Sequence, residues 1–198
     1  PMIMHHDALH IPNLGIASIA ANVSEENQVW TIDLIRKRNS IKKYLTKTIK
    51  KLQTDIIGLS AMAWQYQTCM KIIKLIKSLN PDIKIVIGGY HATLMADEIS
   101  KSNDAQFIDF IIRGEGELPF KNLIDSLNSN CELTEVPSLS FKKDGTFIHN
   151  ERMGLLNLDE IKLPLRDKRR LTSGYHFNMH RMEVMETSRG CTRECNFC

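Results

Sequence analysis

Asp55-Ile56-Ile57-Gly58-Leu59-Ser60 and Lys84-Ile85-Val86-Ile87-Gly88-Gly89 are the two stretches whose reading decides the fold. Each is a short apolar run that ends in small residues, and the first reads as a strand buried on both faces of a sheet. Between them Met70, Ile73 and Ile76, with Ile72, Leu75 and Leu79, recur at helical spacing and stop at Asn80-Pro81. Strand, helix, strand in this order is a βαβ unit. Its right-handed crossover brings both small-residue ends to one edge. The pattern continues downstream with a helix over 93–101, the strand Phe110-Ile111-Ile112-Arg113, and Gly114-Glu115-Gly116-Glu117 turning into a helix through Leu127. Upstream, Leu14 to Ala21 predicts a short helix and Val29 to Leu34 a strand. The fold class is α/β, with a doubly wound parallel sheet.

After Asn130 the character changes. Ser138 to His149 holds two strand-like pieces around Asp144-Gly145, a hairpin signal. Leu158 to Arg170, with Pro164 and mixed charge, reads as a linker, and Met182 to Thr187 as one more strand. The expected organisation is an α/β domain over 1–130, a hairpin and linker over 131–181, and the start of another domain over 182–198. A doubly wound domain normally opens with a central strand, and Pro1 to Met4 is too short and too proximal to supply a convincing one. The chain therefore reads as a fragment whose sheet lacks its first strand.

Composition narrows the class. The 198 residues are 42% hydrophobic and 25% charged, which suits a globular chain and excludes a disordered or collagen-like one. No apolar run reaches the roughly 20 residues of a membrane span, and the start has no secretory pattern, so a cytoplasmic protein is expected. The net charge of +3 is too small to imply nucleic acid. Much of it sits between Arg36 and Lys51, where Ile41, Leu45, Ile49 and Leu52 recur at helical spacing. That segment reads as the solvated face of an amphipathic helix, with an RNA or phosphate patch as the other reading.

Of five cysteines, Cys69 and Cys131 stand alone, while Cys191, Cys195 and Cys198 form a CxxxCxxC array. In a chain without secretory features such a cluster points to metal. Thiolates select zinc, copper(I) or iron–sulfur. A structural zinc site needs four ligands, which His176 or His180 could complete. A cluster held by three cysteines leaves one iron open and fits the count better.

The array follows Glu186-Thr187-Ser188-Arg189-Gly190 and has Phe197 before its last cysteine. In this it resembles the radical S-adenosylmethionine enzymes. The resemblance implies that Cys191, Cys195 and Cys198 hold a 4Fe–4S cluster whose open iron chelates S-adenosylmethionine for reductive cleavage, with Phe197 near the adenine. The upstream chain is similar to the cobalamin-binding domain found ahead of the radical domain in one subgroup, a doubly wound sheet of the flavodoxin-like or Rossmann-like type. The carrying residues are Pro12 to Ala17, Gly88-Gly89-Tyr90-His91-Ala92-Thr93 and Arg113-Gly114-Glu115-Gly116-Glu117.

By that resemblance Ser60, Ala61, Met62, Gly88, Gly89, Tyr90, Gly114 and Glu115 contact cobalamin. The physical reading agrees, since Ser60, Gly88-Gly89 and Gly114 each end a predicted strand, where open α/β sheets bind ligands. One departure stands out. Cobalamin proteins commonly carry Asp-x-His-x-x-Gly here with the histidine on cobalt, whereas Asn13-Leu14-Gly15-Ile16-Ala17-Ser18 has no histidine. His5, His6 and His10 lie outside that pattern and read as exposed terminal residues. Trp64 and Tyr66 wall the slot or cover the sheet; His91 faces the ligand edge or caps its helix. Glu115 and Glu117 match family positions, though acids also suit a helix start. The implied function is radical methyl transfer, rearrangement or cyclisation, with a flavodoxin- or ferredoxin-type low-potential electron donor and an unidentified small-molecule substrate. The fragment alone is expected not to turn over. The alternative is a flavodoxin-like ligand-binding module with a zinc-binding cysteine tail.

Overall fold

The computed structural model of the protein describes residues 11–177, 180–191 and 195. Its centre is a five-stranded sheet in the order β1 (Ile56–Ser60), β2 (Lys84–Gly88), β3 (Phe110–Ile112), β4 (Leu139–Lys143) and β5 (Thr146–His149). β1, β2 and β3 run parallel, in register from Ile56 opposite Lys84 to Ser60 opposite Gly88. The hairpin then joins the same sheet antiparallel, with Ile112 opposite Leu139. The sheet is therefore mixed, and the predicted hairpin extends it.

Period-two alternation splits the core into two layers. Ile85, Ile87 and Ile111 face one side, with Leu45 and Ile49 of α2 (Ile41–Leu52) and Met70, Ile73 and Ile76 of α3 (Tyr66–Leu79). Val86, Phe110 and Ile112 face the other, with Leu123 of α6 (Glu117–Ser129). α1 (Leu14–Asn22) packs against α6 through its small residues, burying Ala17, Ser18, Ala20 and Ala21. Helices on both faces make this the doubly wound architecture its sequence predicts.

Four expectations need correction. β1 is only partly buried, with Gly58 and Ser60 exposed, because among the described residues it is the end strand of the sheet. The strands buried throughout their middles are β2 and β3. The helix predicted over 93–101 is two, α4 (Tyr90–Leu94) and α5 (Ala96–Lys101), parted at Met95 with φ −113° and ψ 24°.

Val29 to Leu34 is not a strand of the sheet. Thr31 alone makes a bridge, to Arg169, and Leu34–Lys37 is a 3₁₀ turn. The backbone groups of Thr31 are taken by the linker instead: its N–H donates to Lys168 O, and its carbonyl accepts from Arg170 N, both at 3.0 Å. Trp30 lies under the cations of Lys168 and Arg170, 6.0 and 5.1 Å from its ring.

Met182 to Thr187 is not a strand either. A short pairing of β6 (His176–Phe177) with β7 (His180–Arg181) precedes it. Ion pairs hold the segment where a ladder was expected: Arg169 grips Glu183 with two hydrogen bonds, at 2.5 and 3.0 Å. Pro1 to His10, with the readings of a first strand and of His5, His6 and His10, lies outside the described residues.

Candidate functional site

The carboxyl ends of β1 and β2 are stapled to one another by backbone. Ala61 N donates to Gly88 O, and His91 N to Ala61 O, both at 3.2 Å. Gly89 sits at φ 89°, a torsion open to glycine, and begins the turn into α4. A Cβ there would fall 2.6 Å from Ser60 Oγ and 3.0 Å from Ala61 N. The missing side chain at Gly89 thus lets the turn after β2 press onto the turn after β1. Thr93 then ties this turn to the next: its hydroxyl donates to Gly89 O and accepts from Gly114 N, each at 2.9 Å.

Ser60, Ala61, Met62, Gly88, Gly89, Tyr90, Gly114 and Glu115 all come to this edge, in the turns that follow the three parallel strands. Ala61 is buried and forms the floor between β1 and β2. Around it the edge is apolar and open: Met62 is 38% exposed, Tyr90 62%, Leu94 60% and Trp64 75%. So much exposed apolar surface on bare-backbone turns suits a large, partly apolar ligand. The edge therefore fits a corrin in floor and rim. Tyr66 packs its ring 4.4 Å from that of His91 and donates to Asp104 at 3.3 Å. Burial and the Asp104 carboxylate push its hydroxyl up to about 12, so it stays protonated. His91 thus packs on an aromatic ring and does not cap α4.

Asn13 caps α1 by accepting from Ile16 N at 3.0 Å. The segment that lacks the histidine motif is therefore a helix start built from Asn13-Leu14-Gly15-Ile16, with no imidazole in it.

The turn after β3 carries a feature that sequence reading missed. Glu117, 3% exposed, accepts from Ser18 Oγ at 2.8 Å and from Arg189 Nη2 at 2.7 Å. Burial alone would raise its carboxyl. The hydrogen bonds from Arg189 and Ser18 outweigh that and hold it below the ordinary glutamate range. Glu115 accepts from Arg189 Nη1 at 3.3 Å and from Leu156 N at 2.7 Å. Arg189 also reaches Glu186 of its own segment at 2.7 Å. The signal available in the sequence was Glu117 itself, an acid at the start of an apolar helix that must find a cation if buried.

Cys191 and Cys195 are exposed. Cys198 and Phe197 lie outside the described residues, so the full ligand set is not described together. His180 is exposed, and His176 Nδ1 lies 3.0 Å from Gly174 O. Among the described residues, no three His, Cys, Asp or Glu converge as a metal site. No helix among them is long and apolar enough to cross a membrane.

Comparison with known proteins gives the family and the fold. The chain is 34% identical over 189 residues to an uncharacterized methyltransferase of Pyrococcus horikoshii, covering 94% of this chain and 40% of that one. It is 26% identical over 161 residues to the cobalamin-dependent radical SAM methyltransferase TokK of Streptomyces tokunonensis, covering 74% and 22%. It is 28% identical over 164 residues to an anaerobic magnesium-protoporphyrin IX monomethyl ester cyclase of Rubrivivax gelatinosus, covering 76% and 28%. The chain thus spans well under half the length of these relatives.

Among solved structures, the cobalamin-dependent S-adenosylmethionine radical enzyme OxsB with aqua-cobalamin bound shares the fold. Its TM-score is 0.66 at 23% identity, over 83% of this chain and 23% of that one. The radical S-adenosylmethionine methyltransferase TsrM of Kitasatospora setae, with cobalamin and a [4Fe-4S] cluster bound, shares it at a TM-score of 0.61 and 16% identity, over 78% and 29%. The B12 binding domain profile matches residues 2–124, from before α1 into α6. With that match across most of its length, the chain belongs to the B12 binding domain family.

Proposed function

We propose that the chain is the cobalamin-binding region and cluster-bearing loop of a cobalamin-dependent radical S-adenosylmethionine enzyme acting in methyl transfer or cyclisation. The observation that carries it is the carboxyl edge of β1–β3. Three strand ends are drawn together there by Gly89 and Thr93 under an exposed rim of Met62, Trp64, Tyr90 and Leu94. Cobalamin held at such an edge would supply methyl-transfer chemistry, and a 4Fe–4S cluster held by the cysteines would supply one-electron reduction toward S-adenosylmethionine.

The chain's own residues bind and position. Ser60, Ala61 and Gly88-Gly89 form the floor on which a nucleotide tail can lie, and Met62 and Tyr90 flank it with Gly114 and Glu115 beyond. Cys191, Cys195 and Cys198 supply three thiolates, the donor set of a cluster with one open iron, and Phe197 is by resemblance the residue for the adenine. With no histidine at Asn13 to Ser18, the chain offers no imidazole from that motif to the cobalt. A low-potential electron donor of the flavodoxin or ferredoxin type and a small-molecule substrate complete the reading.

Two titrations on the 198-residue chain test it. Adding aquacobalamin is expected to give a stoichiometric shift of the corrin absorption and retention through gel filtration. Anaerobic iron and sulfide reconstitution is expected to give a brown protein. Its dithionite-reduced electron paramagnetic resonance signal should move when S-adenosylmethionine is added. A colourless protein that holds one zinc and leaves the corrin spectrum unchanged overturns the proposal.

A further inference from the structure

Arg189 stands two residues before Cys191 and meets carboxylates from two parts of the fold. Its Nη1 and Nη2 reach Glu115 and Glu117 in the turn after β3, at 3.3 and 2.7 Å, and its Nε reaches Glu186 at 2.7 Å. Glu117 is buried, and the oxygen that meets Arg189, Oε1, also accepts from Ser18 Oγ of α1 at 2.8 Å. A planar fork that satisfies several acids at once is a task for arginine, because lysine offers a point charge. The same turn is held at its other end by Thr93, which bonds both Gly114 N and Gly89 O. One short stretch, the turn after β3 with the first residue of α6, is thus anchored to the ligand edge on one side and to the approach to the cysteines on the other.

We propose that Glu115 and Glu117 form a docking clasp for Arg189 that fixes the segment leading to Cys191 in register with the carboxyl edge of the sheet. Glu115, Glu117 and Arg189 are positioning residues. The inference deepens the proposed function and rests on it for its purpose, though the clasp itself consists of this chain's own contacts. It gives the acids of the Arg113-Gly114-Glu115-Gly116-Glu117 motif a role across the structure. A helix start favours acids there, but it requires neither the burial of Glu117 nor a distant arginine.

Two native cysteines supply the test. Cys131 is exposed just beyond α6, and Cys191 is exposed beyond the clasp, while Cys69 is buried with its thiol pushed up to about 12. The 198-residue chain carrying Cys195→Ser and Cys198→Ser is labelled with nitroxides at Cys131 and Cys191. The distance distribution between the labels is then read by pulsed electron paramagnetic resonance. The clasp predicts one narrow distribution, which roughly doubles in width in Arg189→Gln as the segment opens locally.

Glu117→Gln should broaden it in the same direction, and the Glu117→Gln/Arg189→Gln pair should be no broader than Arg189→Gln alone, as expected of partners in one interaction. Arg189→Lys should recover part of the narrowing. Should Arg189→Gln fail to fold, Glu115→Gln keeps the Ser18–Glu117 bond and is expected to broaden the distribution less, with an unchanged circular dichroism spectrum. A parent distribution already broad, or widths that do not respond to these changes, overturns the clasp. None of these readings needs cobalamin or a cluster. Failed reconstitution of the parent therefore counts against the proposed function and leaves the clasp standing, and unresponsive widths do the reverse.

Discussion

Gly89 and Gly145 hold nearly the same torsion, φ 89° and 80°, under opposite constraints. At Gly145 a Cβ would meet nothing within 4 Å. It follows Asp144, itself at φ 53°, and the two form the tight turn of a hairpin whose strands twist correctly only with both residues left-handed. At Gly89, with ψ −175°, the torsion is one that glycine alone adopts readily, and a second demand is added to it. Two turns of the sheet edge meet there, with Ser60 Oγ and Ala61 backbone where a side chain would be. A glycine that serves chain direction can stand in open solvent. One that serves contact between strand ends marks where the fold brings its ligand edge together.

Substitutions at the two positions sharpen that contrast. Gly89→Ala adds a strained torsion to a collision with backbone, and should cost roughly 4 kcal/mol by urea denaturation. It should also lower the affinity for aquacobalamin, because the β1 and β2 turns must part. A loss near that of Gly145→Ala would break the comparison.

Next in size is Glu117→Gln, expected to cost about 2 kcal/mol near neutral pH through the weakened bond to Arg189. Its pH dependence has a definite sign. The folded carboxyl lies below the ordinary 4.5, so its contribution is complete above that value and fades as pH falls through the lower folded value. The variant and the parent should therefore converge in stability under acid. A gap that stays constant down to strong acid would mean that the ionised carboxylate is not what Arg189 reads.

Gly145→Ala should cost only about 1 kcal/mol, all of it torsional, with the ligand edge undisturbed. Smallest is Gly88→Ala, one residue before the critical position. Its Cβ would find Ile112 O at 3.8 Å, an ordinary contact. The change should stay within about 0.5 kcal/mol in stability. If it disturbs cobalamin binding all the same, Gly88 touches the ligand where Gly89 touches the protein.

Legibility in the sequence followed the range of the interaction. β2, α3, β3 and the hairpin were readable because their signals are local: apolar runs, helical spacing, an Asp-Gly turn. Val29 to Leu34 has strand composition, yet Thr31 bonds to Lys168 and Arg170, more than a hundred positions away, and no local pattern names that partner. β1 has the apolar look of a doubly covered strand, but an end position in the sheet leaves Gly58 and Ser60 exposed. Ser60, Gly88-Gly89 and Gly114 could be assigned to one edge from the sequence because strand ends in a parallel sheet must share it. Glu115 and Glu117 were noticed, Glu115 as a cobalamin contact and both as family positions that also suit a helix start, but their pairing was not, since Arg189 lies 74 and 72 residues beyond them.

The stretch from Leu158 to Arg170 also looks different once its bonds are counted. Lys162 N donates to the Asn22 carboxamide, Leu165 N to Ala17 O, and Lys168 and Arg170 close on both sides of Thr31. A protein cut after His149 would keep every strand of the five-stranded sheet. It would still strip those partners from α1 and from Thr31, leaving two carbonyls, an amide N–H and a carboxamide to seek water. The segment is cladding, and shortening the chain to its sheet would peel it off.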